Sequence, residues 1–364
     1  MKLLQSKNFK TNLKRLKKHI KHDLKGEPPS AIKSFLNLFD PKLARLMEFK
    51  TFDNISRQEL GALVKLYCLF DLNSEYGSLI TQYDSNLNVE QVGEKFKRFI
   101  TSGNGKGVLN SYRVLESGHE EVFEKIYFND SDDLVRVEWF YQFVAPLLNE
   151  SIVKFPMLKQ IKRGSRLTRV LSECLPLRKS ELGCRDSILD LVLYFQLIIV
   201  EVPQKYIPVV KDFRRSHIYR EASEAIMRNY CFRHPLALIK LKFIEARIHR
   251  LPSRLTHGDL HLGNFSSPNI VIDWDEAGFY PIGFDLALTM SRYFHFDDFY
   301  DMQNFLRINA SGSIDPNLYE MYKFSVLFFC LFFYERRDAL NVKSSLKESI
   351  RNYLIRNMSV LEGN

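Results

Sequence analysis

A block of polar residues between positions 255 and 287 constrains this 364-residue chain more than any other stretch. His257, Asp259 and Asn264 have the spacing H-x-D-x-x-x-x-N, and nine residues later Asp273 closes a short apolar, strand-like run. Mg²⁺ is commonly held by one or two carboxylates together with phosphate oxygens and water. The block therefore predicts a loop in which Asn264 and Asp273 can hold Mg²⁺ beside an aspartate that can accept a proton.

Three motifs in this block resemble those of the aminoglycoside phosphotransferase and choline kinase-like family. They are His257 to Asn264, Ile272 to Asp275, and Asp285-Leu286-Ala287. The resemblance implies an α+β, bilobal protein-kinase-like fold, with a small antiparallel-sheet N-lobe and a mainly helical C-lobe. It also implies ATP and Mg²⁺ as cofactors.

The same resemblance assigns roles to five residues of the block. It makes Asp259 the catalytic base, which orients the acceptor hydroxyl and takes its proton. Asn264 and Asp273 would be the metal ligands. His257 and Asp285 would support the loop structurally, with Asp285 bracing it.

A glycine-rich segment about 150 residues upstream predicts a nucleotide-covering turn. Gly103, Gly105 and Gly107 would let backbone N–H groups approach phosphates closely. The segment alone is weak evidence, because many β-hairpins are rich in glycine. Its position relative to the catalytic loop resembles that of the family's nucleotide loop.

Four further residues complete the expected nucleotide site. Lys125 lies in an apolar strand and would reach the α- and β-phosphates, held by Glu138 on a helix that begins near residue 132. The alternative is a surface lysine and a solvent-facing glutamate. Backbone groups around Glu173 and Leu175 would bind adenine at the hinge.

Strands are expected at Phe96–Ile100, Val122–Tyr127, Val153–Ile161 and Leu167–Leu171.

The net charge of +9 is concentrated in residues 1–25, which carry +8. Apolar residues recur there every three or four positions, which predicts a basic amphipathic helix. Such a helix can pack on the protein with its lysines in water, or lie on an anionic membrane surface. No nucleic-acid partner is expected, because no known binding motif is present. The expected domains are a basic helical extension (1–92), an N-lobe (93–172) and a C-lobe (173–364).

Five scattered cysteines and the absence of an apolar leader predict a cytoplasmic protein, with attachment to the inner face of a membrane as an alternative. The predicted activity is phosphoryl transfer from ATP to a hydroxyl of a sugar, aminoglycoside, amino alcohol or glycolipid precursor. The alternatives are a catalytically inactive nucleotide-binding scaffold and a protein kinase. Two basic or mixed patches could face the acceptor or lie in solvent: Arg214, Arg215, His217 and Arg220, and residues 295–298.

Overall fold

The computed structural model describes residues 73–89, 93–101, 109, 111–175, 185–266, 269–310, 315–336 and 342–361, with positions 56, 57, 60, 61, 64 and 68 before them. The chain forms two compact units. The first contains the residues up to Ser131 and Met157–Cys174, and the second contains Asp132–Pro156 and everything after Cys174. The domain limits expected from the sequence, 1–92, 93–172 and 173–364, stay a prediction.

The first unit is built on an antiparallel sheet of five strands in the order β1-β2-β3-β5-β4. A helix, α1 (Asn73–Tyr83), precedes the sheet. The strands are β1 (Glu94–Thr101), β2 (Ser111–Ser117), β3 (Glu120–Phe128), β4 (Leu158–Arg163) and β5 (Leu167–Glu173).

One face of this sheet is covered by the segment that precedes it. Side chains of α1, among them Tyr76 and Ile80, are buried against Ile126, Phe128 and Leu167 of the sheet. Because successive strand residues point to opposite faces, Ile126 and Phe128 share one face while Lys125 lies on the other. The described part of the expected N-terminal extension is therefore part of the first unit's core.

Asp84, just after α1, holds the turn between β4 and β5. Its Oδ2 accepts hydrogen bonds from the amides of Arg166 at 2.6 Å and Leu167 at 2.8 Å. Its Oδ1 accepts from the amide and the hydroxyl of Ser165 at 3.0 and 2.8 Å. Burial alone would raise the pKa of this carboxyl, but the backbone donors outweigh it and hold the pKa below its usual range.

A buried ion network lies on the same face of the sheet. Glu124 accepts from Arg113 Nε at 2.6 Å and from Arg169 Nε at 2.5 Å, and Arg169 Nη2 also bonds Glu94 at 2.7 Å. The Arg113 guanidinium stacks on the ring of Tyr76 at 4.5 Å. Burial would raise the pKa of Glu124, yet the two guanidiniums lower it, so the glutamate is ionised.

The second unit is mainly helical. Its helices are α2 (Asp132–Trp139), α3 (Arg185–Leu197), α4 (Ile207–Val210), α5 (His217–Tyr230), α6 (Pro235–Ile248), α7 (Phe284–Tyr293), α8 (Phe299–Ala310), α9 (Tyr319–Tyr334) and α10 (Ser344–Arg356). Its short strands form two antiparallel pairs, β6 (Ser253–Thr256) with β9 (Gly278–Pro281), and β7 (Phe265–Ser266) with β8 (Ile270–Val271).

Helix α9 is the centre of the second unit, since every residue from Phe324 to Tyr334 is buried. Its aromatic rings pack against α7, where Phe284 contacts Phe329 edge-on with ring centroids 5.0 Å apart. Over the stretches that the structure describes, no helix is both long and apolar enough to span a bilayer.

The fold class expected from the sequence is confirmed: the chain is α+β, with a small antiparallel sheet and a mainly helical second part. One strand prediction is wrong in its start. A strand was expected from Val153, but β4 begins at Leu158. Pro156 lacks an N–H for the ladder, and Lys154 pairs with Ile270 of the second unit instead.

Candidate active site

A tight turn after β6 carries the H-x-D motif. Gly258 has φ +81°, a left-handed conformation that a side chain disfavours. A Cβ at this position would also collide with the carbonyl oxygen of Glu276. Only glycine fits here, which explains the residue between His257 and Asp259.

Asp285 holds this turn by its backbone. Its Oδ2 accepts the His257 amide at 2.6 Å, and its Oδ1 accepts the Gly258 amide at 3.0 Å. It lies in the first turn of α7, where a negative charge is favoured by the helix dipole. Burial nevertheless raises its pKa to about 7.

The His257 ring joins the H-x-D turn to the segment that carries Asp273. The ring is fully buried, and its Nε2 lies 2.9 Å from the Ile272 carbonyl oxygen. Its Nδ1 accepts the Asp259 amide at 3.3 Å. Burial lowers its pKa to about 4, so the ring is neutral at physiological pH and donates from Nε2. These bonds suit a structural residue rather than a proton carrier.

The Asp259 carboxylate lies beside the guanidinium of Arg292 and the imidazole ring of His261. Arg292 Nη2 donates to Oδ1 at 2.9 Å, and His261 Nε2 lies 3.7 Å from Oδ2. The Arg292 side chain is only 11% exposed, so its pairing with Asp259 is shielded from solvent screening. Sequence reasoning missed Arg292. It lies seven residues beyond Asp285, at the helical spacing that puts it on the same face of α7, and that spacing was the available signal.

Asn264 and Asp273 form the candidate metal ligands. The Asn264 amide nitrogen donates to the Asp259 carbonyl at 3.1 Å, which makes Oδ1 the atom suited to bind a cation. Asp273 has φ +68°, a conformation uncommon outside glycine, and it does not cap the 3₁₀ turn that follows. The Ile272 amide bonds the Asn264 carbonyl at 2.9 Å, so the β7–β8 hairpin brings the two residues together.

This donor set fits Mg²⁺. One amide and one carboxylate leave most of an octahedral shell to phosphate oxygens and water, which is the mode that Mg²⁺ prefers. Among the described residues, no group of three His, Cys, Asp or Glu side chains could hold a metal. A softer metal such as Zn²⁺, which takes three or four protein ligands, has no such site in this part of the chain.

Glu276 lies in the 3₁₀ turn after Asp273, is largely buried, and connects that turn to α5 and α2. Its carboxylate accepts the His217 amide at the start of α5, at 3.0 and 3.1 Å. The buried Arg136 of α2 lies 3.9 Å away. Burial raises the pKa of Glu276 to about 8. The sequence carried no signal for this contact, since residue 136 is far from the motifs.

The predicted nucleotide residues lie in several places. Gly103, Gly105 and Gly107 lie outside the described residues. The Lys125 ammonium lies 5.0 Å from the Tyr112 ring centroid, on the sheet face opposite Glu124. Glu138 belongs to α2 in the second unit, and its pairing with Lys125 stays a prediction.

The expected hinge lies at the end of β5. The Glu173 amide donates to the Met157 carbonyl at 2.8 Å, and the Cys174 amide donates to Glu121 at 3.2 Å. Both amides therefore take part in the sheet. Glu173 and Leu175 are partly exposed, and their role toward adenine stays a prediction.

Two cations of the basic patch are engaged within the protein. Arg215 makes two bonds to Asp132, at 2.6 and 2.8 Å, and Arg214 makes two to Asp212. An open cavity of about 430 Å³ lies beside this patch on α5. Its lining includes Arg214, Tyr219, Arg220, Met227, Arg228 and Glu245.

Comparison with family models finds one match in the middle of the second unit. Residues 217–312 match the model described as "APH: Phosphotransferase enzyme family". This segment contains all three motifs, and the resemblance seen in the sequence is confirmed. Comparison with curated proteins finds no match.

Solved structures that are similar to this chain include three small-molecule kinases. A spectinomycin phosphotransferase in complex with ADP and spectinomycin is 12% identical, with TM-score 0.37, over 79% of this chain and 96% of that one. A choline kinase from Streptococcus pneumoniae is 13% identical, with TM-score 0.42, over 81% and 100%. A putative fructosamine-3-kinase from Haemophilus somnus is 14% identical, with TM-score 0.41, over 71% and 91%. These values are too low to bear on the substrate.

Proposed function

We propose that this chain, whose residues 217–312 match the model of the phosphotransferase enzyme family, transfers the γ-phosphoryl group of ATP to a hydroxyl of a small molecule. The observation that carries the proposal is the arrangement around Asp259. A carboxylate ordered by Arg292 lies on a braced turn, and the next turn positions an amide and a second carboxylate. That combination serves phosphoryl transfer, in which positioning and charge matter more than base strength.

In this proposal Asp259 accepts a hydrogen bond from the acceptor hydroxyl and takes its proton as the oxygen attacks phosphorus. The Arg292 contact limits the rotation of the carboxylate, so that one oxygen, Oδ2, is left to face the hydroxyl. His257 and Asp285 keep the turn in place and do not exchange protons with the substrate. The acceptor loses a proton, and ADP leaves with the electrons of the broken P–O bond.

Asn264 and Asp273 would hold Mg²⁺ through one oxygen each. When bound, Mg²⁺ neutralises negative charge on the phosphates and orients them for in-line attack. The protein's own contribution is the fixed direction of the Asn264 amide, which the Asp259 carbonyl sets.

The short link between Asp273 and Asp285 favours a small acceptor. A 3₁₀ turn (Trp274–Glu276) and strand β9 fill it almost completely. Protein kinases place a long activation segment after the equivalent aspartate to bind a peptide. Residues 274–283 are all described, and they leave no room for such a segment. Sugars, aminoglycosides, amino alcohols and glycolipid precursors are the acceptors to test.

The decisive experiment follows label from γ-labelled ATP, with Mg²⁺, onto a panel of those four acceptor classes. Wild type is compared with Asp259→Asn and with Asp190→Asn, a matched change at an exposed position of α3. We expect label on at least one acceptor, a loss of about 10²–10⁴-fold in Asp259→Asn, and no change in the control. Unchanged turnover in Asp259→Asn would disprove the assigned base, and Mg-ATP binding without transfer to any acceptor would favour a scaffold.

A further inference from the structure

The turn and outer side of the α5–α6 hairpin expose a continuous apolar stripe. Phe232, at the turn between the helices, is 93% exposed, and Leu236, Ile239 and Phe243 of α6 are 75%, 66% and 46% exposed. We call these four residues the hairpin face. Within α6, the spacing of Leu236, Ile239 and Phe243, three and then four residues, is that of one helix side, and Phe232 lies in the turn before the helix.

The hairpin face lies opposite the side of α6 that builds the core. Leu238, Leu241, Ile244 and Ile248 are buried in the second unit. At about 100° per residue, Leu236, Ile239 and Phe243 fall within about 60° of each other on the far side. A helix that is apolar on two sides is normally buried on both. Isolated exposed apolar residues are common, but a continuous stripe of large ones marks an interaction surface.

The surroundings of the hairpin face carry charge of one sign. Residues 226–250 contain six Lys and Arg against a single acidic residue, Glu245. Glu245 is buried, and it accepts hydrogen bonds from Tyr219 and Lys242. Arg233 and Lys240, by contrast, are exposed beside the stripe. Within residues 226–250, the exposed charge is therefore basic.

We propose that the hairpin face docks on an anionic membrane surface. Large apolar side chains surrounded by Lys and Arg are what an interfacial helix presents to acidic lipid headgroups. Phe232 is 93% exposed at the turn between the two helices, which suits insertion between lipids.

Charge argues against the other occupants. A second copy of the chain would bring the same basic rim, and the segment 1–25 carries +8 of its own, so both would be repelled. Nucleic acid would satisfy the cations but would leave four apolar side chains in contact with a polar backbone. An acidic protein partner shares the charge complementarity, and the experiment below separates it from lipid.

The test measures adsorption of the full-length protein to vesicles by flotation. One set is pure phosphatidylcholine, and the other is equal parts phosphatidylcholine and phosphatidylglycerol. The variants are Phe232→Ser/Ile239→Ser, Lys240→Glu, and Ile199→Ser as the matched control. Ile199 is 85% exposed in the same unit but outside the hairpin. All these positions are exposed, so folding is expected to survive.

We expect wild type to bind the anionic vesicles and to be released by high salt. The double serine variant should bind at least tenfold more weakly, while Ile199→Ser binds like wild type. Lys240→Glu changes the local charge by two units, so at about fivefold per charge it should weaken binding about 25-fold. A chain lacking residues 1–25 should retain the sensitivity to the double variant. The proposal is overturned if the double serine variant adsorbs like wild type, or if wild type does not bind anionic vesicles.

A fluorescent reporter separates insertion from adsorption by charge alone. Both natural tryptophans, Trp139 and Trp274, are buried, so they respond little to lipid. A tryptophan introduced by Phe232→Trp should shift its emission to the blue on anionic vesicles and be quenched by brominated lipid chains. If the emission of the tryptophan at position 232 does not change on vesicles, lipid insertion is excluded and an acidic protein remains as the partner.

Discussion

Replacing Asp84 by alanine should detach the segment before the sheet from the β4–β5 turn. The carboxylate accepts three backbone amides and one hydroxyl, from Ser165, Arg166 and Leu167. A net hydrogen bond to a charged group is worth about 1.5–3 kcal/mol, and a stranded buried donor costs about 1–3 kcal/mol. The Leu167 amide is buried, whereas water can reach the amides of Ser165 and Arg166. We therefore expect the free energy of unfolding of the first unit to fall by about 3–5 kcal/mol.

The pH dependence of that loss has a defined sign. The pKa of Asp84 is lowered in the folded protein, so its stabilisation is fully present above the unfolded value, near 3.9. It disappears as pH falls through the lower folded value. The stability gap between wild type and Asp84→Asn should therefore be widest near neutral pH and close in acid.

Hydrogen exchange read by mass spectrometry is the direct assay, because the affected amides lie in peptides from Met157–Cys174. Both tryptophans lie in the second unit, so their fluorescence reports that unit separately. Glu120→Gln, which breaks an exposed pair with Lys159 in the same sheet, should leave exchange unchanged. Gly164→Ala should increase exchange in the same peptides as Asp84→Ala does, since a Cβ there would collide with the Asp84 carboxylate. Wild-type exchange in Asp84→Ala would refute the reasoning.

Two further substitutions test buried charges. Arg292→Ala should lower kcat about 10–100-fold with little change in KM for ATP, because the Asp259 carboxylate loses its orientation. Arg292→Lys should recover part of the lost kcat. A rise in KM for ATP as large as the fall in kcat would contradict a positioning role. Glu124→Gln should destabilise the first unit by about 3–5 kcal/mol in urea unfolding, because two buried guanidiniums lose their shared counter-charge; a change below about 1 kcal/mol would show that water or another acid replaces it.

The turn that carries the three motif residues could be predicted from the sequence because these residues are close in the chain. His257, Asp259 and Asn264 lie within eight residues, and turn geometry alone brings them together. The fold class was implied by the resemblance of the three motifs to those of a known family, and each of these motifs is also local in the chain. The start of α2 near residue 132 was predictable for the same reason.

Long-range pairings of charge could not be read in this way. Nothing near Asp84 indicates that its partners lie some eighty residues later, at a turn that forms only when the sheet closes. In the apolar strand predicted around Lys125, the sequence alone does not indicate which face of the strand is covered. Glu124 is buried, whereas Lys125 is only partly so. The alternation fixes which residues share a face but not which face is covered.

The ring of His257 couples the position of Asp259 to the position of Asp273. One imidazole bonds the Asp259 amide on one side and the Ile272 carbonyl, next to Asp273, on the other. The ring is a spacer between Asp259, the proposed proton acceptor, and Asp273, a proposed metal ligand. A shift of one of these groups is transmitted through the ring to the other, so we expect substitutions in the surrounding pocket to move the two together.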